Sequence, residues 1–207
     1  MANNFDNPFS ANVVGLWDFR DGYENDDSGL GDGIAQDGTP ANGPSFAGGW
    51  MLGNGDGSRM DVDDGDDAAF DLSEGTIVTA FRPYELPTGD PQTVMSRGLA
   101  GAEDQDPDTD FMEVRVTSDG SVEVYHVDGA NSALLTTDPS FFNSGDIVKV
   151  SYAWSADGVV MSVENTTQGT STVVGSDVNN LTLDLIGDDE QSFAIGSRET
   201  VEGEFDQ

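Results

Sequence analysis

Short runs rich in Val, Thr, Phe and Tyr recur along nearly the whole of this chain, and clusters of Gly, Asp, Asn and Pro separate them. That punctuation constrains the fold more than any other feature, because β-branched and aromatic runs suit pleated strands while the separating residues suit turns. The clearest strand candidates are Val13 to Phe19, Thr76 to Pro83, Asp110 to Thr117, Ser121 to Val127, Asp146 to Trp154 and Gly158 to Asn165. Shorter ones are Ser58 to Val62, Thr93 to Ser96, Ser132 to Thr137, Thr170 to Gly175, Leu181 to Leu185 and Ser192 to Gly196. No stretch of about ten residues carries capped apolar positions at i, i+3, i+4 and i+7, so the chain reads as helix-free.

Alternation divides these strands into faces. Phe111, Glu113, Arg115 and Thr117 form one side of a strand whose other side is Met112, Val114 and Val116, predicting one wet face and one core face. Ser118-Asp119-Gly120 and Ala156-Asp157-Gly158 each join two alternating runs, and Asp-Gly favours tight antiparallel turns. The expected fold class is therefore all-β, a two-layer antiparallel β-sandwich. A chain of 207 residues suits one such domain, over residues 12–207, preceded by an N-terminal arm at 1–11. Two Gly- and Asp-rich stretches, Arg20 to Gly49 and Gly98 to Asp108, resist strand assignment and read as long loops.

Charge sets the environment. The chain carries 40 acidic against 7 basic residues, a formal net charge of −33. Lys149 is its single lysine, and most of the acids are Asp, whose short side chain holds water and ions with little apolar stem. At about 1 M salt the Debye length falls to ~3 Å, so self-repulsion on this scale is largely cancelled. The pattern resembles proteins of extreme halophiles, and it excludes nucleic acid as a partner. There is no cysteine, so neither disulfides nor zinc-thiolate sites are available. Met1 to Ser10 shows no basic n-region or apolar run of a Sec signal, and no stretch is long enough to insert in a membrane. The expected location is a virion or extracellular surface reached without that signal.

The order of the segments resembles the laminin-G-like branch of the concanavalin A-like lectin and glucanase superfamily, from about Asn12 to Arg198. The resemblance rests on Leu16-Trp17-Asp18-Phe19, the loop Asp27-Ser28-Gly29-Leu30-Gly31-Asp32-Gly33, the Gly53-Asn54-Gly55-Asp56-Gly57 turn before Met60-Asp61-Val62, and above all Thr76 to Pro83. Val94 to Gly98, Lys149 to Tyr152 and Ala194 to Arg198 follow in the family's order. The resemblance implies a concanavalin A-like jelly roll and an adhesive role. The family closes with a strand after its Ile-Gly element, where this chain has only Val201 to Gln207. That departure favours an open edge and a homo-oligomer or virion assembly.

Retaining glucanases of the superfamily place paired carboxylates in a Glu-x-Asp-x-x-Glu run, and no such run occurs, so the expectation is no enzyme and no catalytic residue. Glu113 and Glu123 read as solvated strand positions. His126, the single histidine, reads as a packed or edge residue. Calcium is the cofactor that the oxygen-rich loops suit, with Asp26, Asp27, Asp32, Asp37 and Asp56 as ligands, although so many Asp also cluster by composition alone. Trp50 and Tyr23 flank the long first loop and are the expected ligand-binding rings, since aromatic faces stack on pyranose rings. Trp17 and Trp154 read as core.

Together these features predict a lectin-like module that binds surface glycans or a glycoprotein, on a halophile's virion or cell surface, in host attachment. A purely structural capsid or surface decoration protein is the second expectation. A polysaccharide hydrolase or lyase is the third.

Overall fold

The computed structural model describes residues 38–41, 44–47, 50–53, 58–62, 72–98, 111–183 and 193–196. Thirteen strands lie among them, and no helix. In chain order they are β1 (Gly38–Ala41), β2 (Ser45–Ala47), β3 (Trp50–Leu52), β4 (Arg59–Val62), β5 (Gly75–Phe81), β6 (Gln92–Arg97), β7 (Phe111–Val116), β8 (Val122–Asp128), β9 (Asn131–Thr136), β10 (Val148–Ser155), β11 (Gly158–Asn165), β12 (Thr170–Ser176) and β13 (Phe193–Ile195).

Two antiparallel sheets result, a seven-stranded one in the order β1-β4-β13-β6-β7-β8-β9 and a four-stranded one in the order β12-β11-β10-β5, with β2 and β3 as a separate ribbon. The core lies between the two sheets. Met60, Met95, Met112, Val114, Val124 and Leu135 from the larger sheet meet Val150, Tyr152, Trp154, Val159, Met161 and Val163 from the smaller. All are apolar members of alternating strands, so burial follows the two-residue period directly. Trp154 anchors one end of this layer, its indole N–H donating to the Leu72 carbonyl at 3.0 Å.

The β7–β8 hairpin turns as its Asp-Gly predicts. Asp119 Oδ1 accepts from the Thr117 hydroxyl at 2.6 Å and from the Ser121 amide at 3.1 Å. Gly120 takes φ +78°, and a Cβ there would stand 2.6 Å from the Phe142 carbonyl oxygen. A second polar knot fixes the entry to β10: Asp146 Oδ2 accepts from the Asn143 amide at 2.9 Å, Asn165 Nδ2 at 3.0 Å and Gln168 Nε2 at 2.6 Å. These donors, the Asn143 amide foremost, hold its carboxyl below the usual carboxylate range.

Two sequence expectations are corrected. The stretch Arg20 to Gly49 contains β1 and β2, short strands whose Gly, Pro and Ala leave no alternation to see; among the described residues β1 is the edge of its sheet, a position where Pro40 is tolerated. Conversely, 181–183 is not a strand. Its backbone bonds to side chains and a loop instead: Thr182 N–H to Asp128, the Thr182 carbonyl to His126, the Leu183 carbonyl from Arg97 Nε, and Leu183 N–H to the Leu72 carbonyl. Leu181 and Leu183 are buried in the core by this crossing. The expected strand at Val13 to Phe19, the arm at 1–11 and the loop Gly98 to Asp108 beyond residue 98 lie outside the described residues.

Candidate functional site

Across β6 to β9 the larger sheet turns away from the core a set of charged, hydroxyl-bearing and aromatic side chains. Register decides which of them meet. The tight turn after Thr117 pairs Glu113 with Tyr125 and Arg115 with Glu123, while β6 sets Thr93 beside Arg115, and β9 sets Thr136 beside Glu123 and Leu134 beside Tyr125.

At the centre is Arg115. Its Nε donates to Glu123 Oε2 at 2.8 Å, its Nη1 lies 3.5 Å from Glu113 Oε2, and its guanidinium sits 5.4 Å over the Tyr125 ring. Thr93 donates its hydroxyl to Glu113 Oε1, and Thr136 donates to Glu123 Oε1 at 3.4 Å. Phe111 meets Tyr125 edge to face at 5.0 Å. A guanidinium held by charge-assisted bonds on one edge and an aromatic face below has little rotamer freedom left.

Exposure changes steeply across this face. Glu113 is 1% exposed, and its neighbours Ser96 and Ala194 are buried as well, whereas Leu134 is 53% exposed. The expectation that Glu113 lies on a solvated strand face is therefore corrected: this side of β7 is screened from water around Glu113 and opens only toward β8 and β9. A buried carboxylate needs paired partners, and Thr93 and Arg115 supply them. Arg115 and Glu123 stand at the boundary, each with under a fifth of its side chain accessible.

Of the expected binding rings, Trp50 lies half-buried on β3, where Met51 packs against the core, so Trp50 shares the opposite side of the strand with exposed Leu52. Tyr23 and all five expected calcium ligands, Asp26, Asp27, Asp32, Asp37 and Asp56, lie outside the described residues. Among the described residues, no three acidic or histidine side chains gather as a metal site. His126 is packed in the core as expected, between the Tyr152 hydroxyl and the Thr182 carbonyl, both at 2.8 Å. Trp154 is core as expected. Thr93, Arg115 and Thr136 carried no role in the sequence reading. For Arg115 the signal existed, because a three-residue turn at Ser118-Asp119-Gly120 fixes the pairing of Arg115 with Glu123 by counting outward.

No protein-family model matches the chain, and no curated protein matches it. Among solved structures it is similar to the CBM40 of the Ruminococcus gnavus IT-sialidase bound to alpha2,3 sialyllactose, with a TM-score of 0.51 and 16% identity over 84% of this chain and 87% of that one. It is also similar to the enzymatically active domain of bacteriophage CBA120 tailspike protein 2, with a TM-score of 0.51 and 13% identity over 81% of this chain and 27% of that one. The LG1-3 region of the laminin alpha2 chain matches with a TM-score of 0.46 and 17% identity over 63% of this chain and 23% of that one. The chain thus spans about a quarter of the tailspike and laminin chains. Identities this low establish a shared jelly-roll sandwich and nothing narrower. Among the described residues, no helix is long and apolar enough to cross a membrane.

Proposed function

We propose that this chain is a non-enzymatic, lectin-like module that binds neutral glycan or glycoprotein on the open side of its larger sheet, centred on Arg115 and Tyr125. The observation that carries the reading is the guanidinium fixed between Glu113 and Glu123 over the Tyr125 ring, at the line where a buried polar surface meets an exposed one. The Arg115 guanidinium, the Glu123 carboxylate and the Thr136 hydroxyl offer donors and acceptors to sugar hydroxyls, and the exposed Leu134 beside Tyr125 offers an apolar patch to a pyranose face. Two carboxylates outnumber the one cation, so the array favours hydroxyl-rich neutral ligands over acidic ones. The sandwich is shared with a carbohydrate-binding module bound to a sialoside, which supports glycan as the ligand; the preference for neutral over acidic glycan rests on the charge of the Arg115 array alone. The acid excess supports a high-salt setting, and a virion or cell surface is the location in which attachment would be useful there.

Glycan-array binding and calorimetry in molar salt test the proposal. Neutral glycans should bind, and Tyr125→Ala should weaken that binding at least about tenfold, measured at a temperature where circular dichroism shows the variant folded. Silence across neutral glycans overturns it, and glycan turnover abolished by Glu113→Gln or Glu123→Gln establishes the hydrolase reading in its place. A second reading, a structural decoration protein, is favoured by the outer face of the smaller sheet.

A further inference from the structure

That outer face is unusual for a chain of formal charge −33. Because Val148, Val150, Tyr152 and Trp154 point into the core, the alternate positions of β10 and its register partners point out. They form three cross-strand rows. The first is Ala80, Lys149, Glu164 and Ser171; the second is Val78, Ser151, Ser162 and Val173; the third is Thr76, Ala153, Val160 and Gly175. The twelve positions hold one acid, one base and otherwise small or apolar side chains. Val78 and Val173 are each 68% exposed and Val160 is 41% exposed.

We infer that this face is an interface between two copies of the chain, packed sheet on sheet about a twofold axis that runs parallel to the strands between β10 and β11. The registers carry the inference. Such an axis keeps each row at its own height and exchanges its ends, so β10 faces the partner's β11 and β5 faces the partner's β12. Lys149 then opposes Glu164 of the second copy, twice per dimer. Val78 opposes Val173, Ser151 opposes Ser162, Ala153 opposes Val160, and Thr76 opposes Gly175. Charge meets opposite charge, the exposed valines of the outer columns cover one another, and the larger side chains of the third row meet smaller ones. Sheet twist tilts facing layers by ~30°, a displacement of a few ångströms that the long Lys and Glu side chains span.

The area is sufficient. Four strands of seven or eight residues make a patch of roughly 19 by 25 Å, about 500 Å² in projection, and the accessible surface of side chains exceeds the projection. Both copies together bury more than the ~1,000 Å² that a specific contact requires. A face of zero net charge is also where two strongly anionic molecules repel least at contact, so salt should strengthen the dimer by screening the remainder.

Sedimentation equilibrium of the full chain in molar salt tests the arrangement. The expected result is a dimer whose dissociation constant rises at least about tenfold in Lys149→Glu, and likewise in Glu164→Lys, and returns to within a few fold of the parent in the double variant. Val173→Asp should weaken it as well. A monomer at all concentrations up to about 100 µM overturns the interface, as does an oligomer indifferent to Val173→Asp and to both charge variants. Weakening by each single variant without rescue in the double overturns the twofold register. The surface lies on the sheet opposite Arg115, so glycan binding is unaffected by these variants.

Discussion

Removing one oxygen atom from the core tests how the two sheets are held in register. His126 Nε2 faces the Thr182 carbonyl at 2.8 Å, and a carbonyl only accepts, so that nitrogen carries the proton. Nδ1 is then the acceptor, and the Tyr152 hydroxyl, 2.8 Å away, donates to it. This bond joins β8 of one sheet to β10 of the other, inside a cluster where Tyr152 also stacks on Trp154 at 5.9 Å. In Tyr152→Phe the fully buried imidazole keeps an acceptor with no donor, which costs about 1–3 kcal/mol. For a domain of this length that is a fall of roughly 2–12 °C in melting temperature. Urea denaturation in molar salt measures it. In a His126→Leu background the same substitution strands no acceptor and should cost under about 0.5 kcal/mol. The pH dependence gives an independent check. Burial, outweighing the Thr182 carbonyl and the Asp128 charge, sets the folded pKa of His126 below its ordinary 6.5. The unfolded chain therefore takes up the proton first. The stability contribution is fully present above pH 6.5 and is lost as pH falls below 6.5 toward the folded value. Between pH 6.5 and about 5, above the ordinary range of the carboxylates, the parent should lose stability with a slope that His126→Leu lacks. Equal costs of Tyr152→Phe in both backgrounds, or identical slopes with and without His126, would refute this account of the bond.

Two further outcomes are expected. Gly120→Ala should lower stability by about 1–3 kcal/mol, because its φ of +78° and a 2.6 Å approach to the Phe142 oxygen leave no room for a Cβ; a thermal melt unchanged within a degree would show that the turn relaxes at no cost. Dialysis from molar salt into dilute buffer should unfold the chain, seen as loss of near-ultraviolet circular dichroism, since net charge −33 is then unscreened; a melting temperature indifferent to ionic strength would remove the halophilic reading.

The strands most visible in the sequence are those whose alternation burial enforces. Gly158 to Asn165 coincides with β11 residue for residue, because every second side chain enters the core. Where local pattern and burial part company, sequence reading fails. β1 and β3 are too short to show a period, and Leu181-Thr182-Leu183 alternates like a strand while bonding to Asp128, His126, Arg97 and Leu72 across the end of the sandwich. The candidate site shows the same division. The Glu123 partner of Arg115 could be counted from a turn, but the burial of Glu113 could not, since it depends on neighbours from other strands, Thr93 and Ser96 among them, rather than on the strand that carries it.

The placement of the cations argues that the acid excess is not a uniform coat. Arg59 and Arg97 are buried within the larger sheet, Arg115 is clasped by two carboxylates, and Arg82 donates its Nε to the Gly145 carbonyl at 2.9 Å. Arg59, Arg97 and Arg115 are thus held within the structure, where a planar fork can bond several acceptors at once, and the exposed Arg82 reaches a backbone carbonyl. Lysine offers no such fork, and the chain carries a single one, Lys149, exposed on the outer face of the smaller sheet, where the twelve outward positions hold one carboxylate. General solubility does not account for that choice, because one ammonium changes a charge of −33 negligibly. A local requirement for positive charge opposite a carboxylate does account for it, and across β10 and β11 the register supplies that carboxylate, Glu164, at the same height on the sheet.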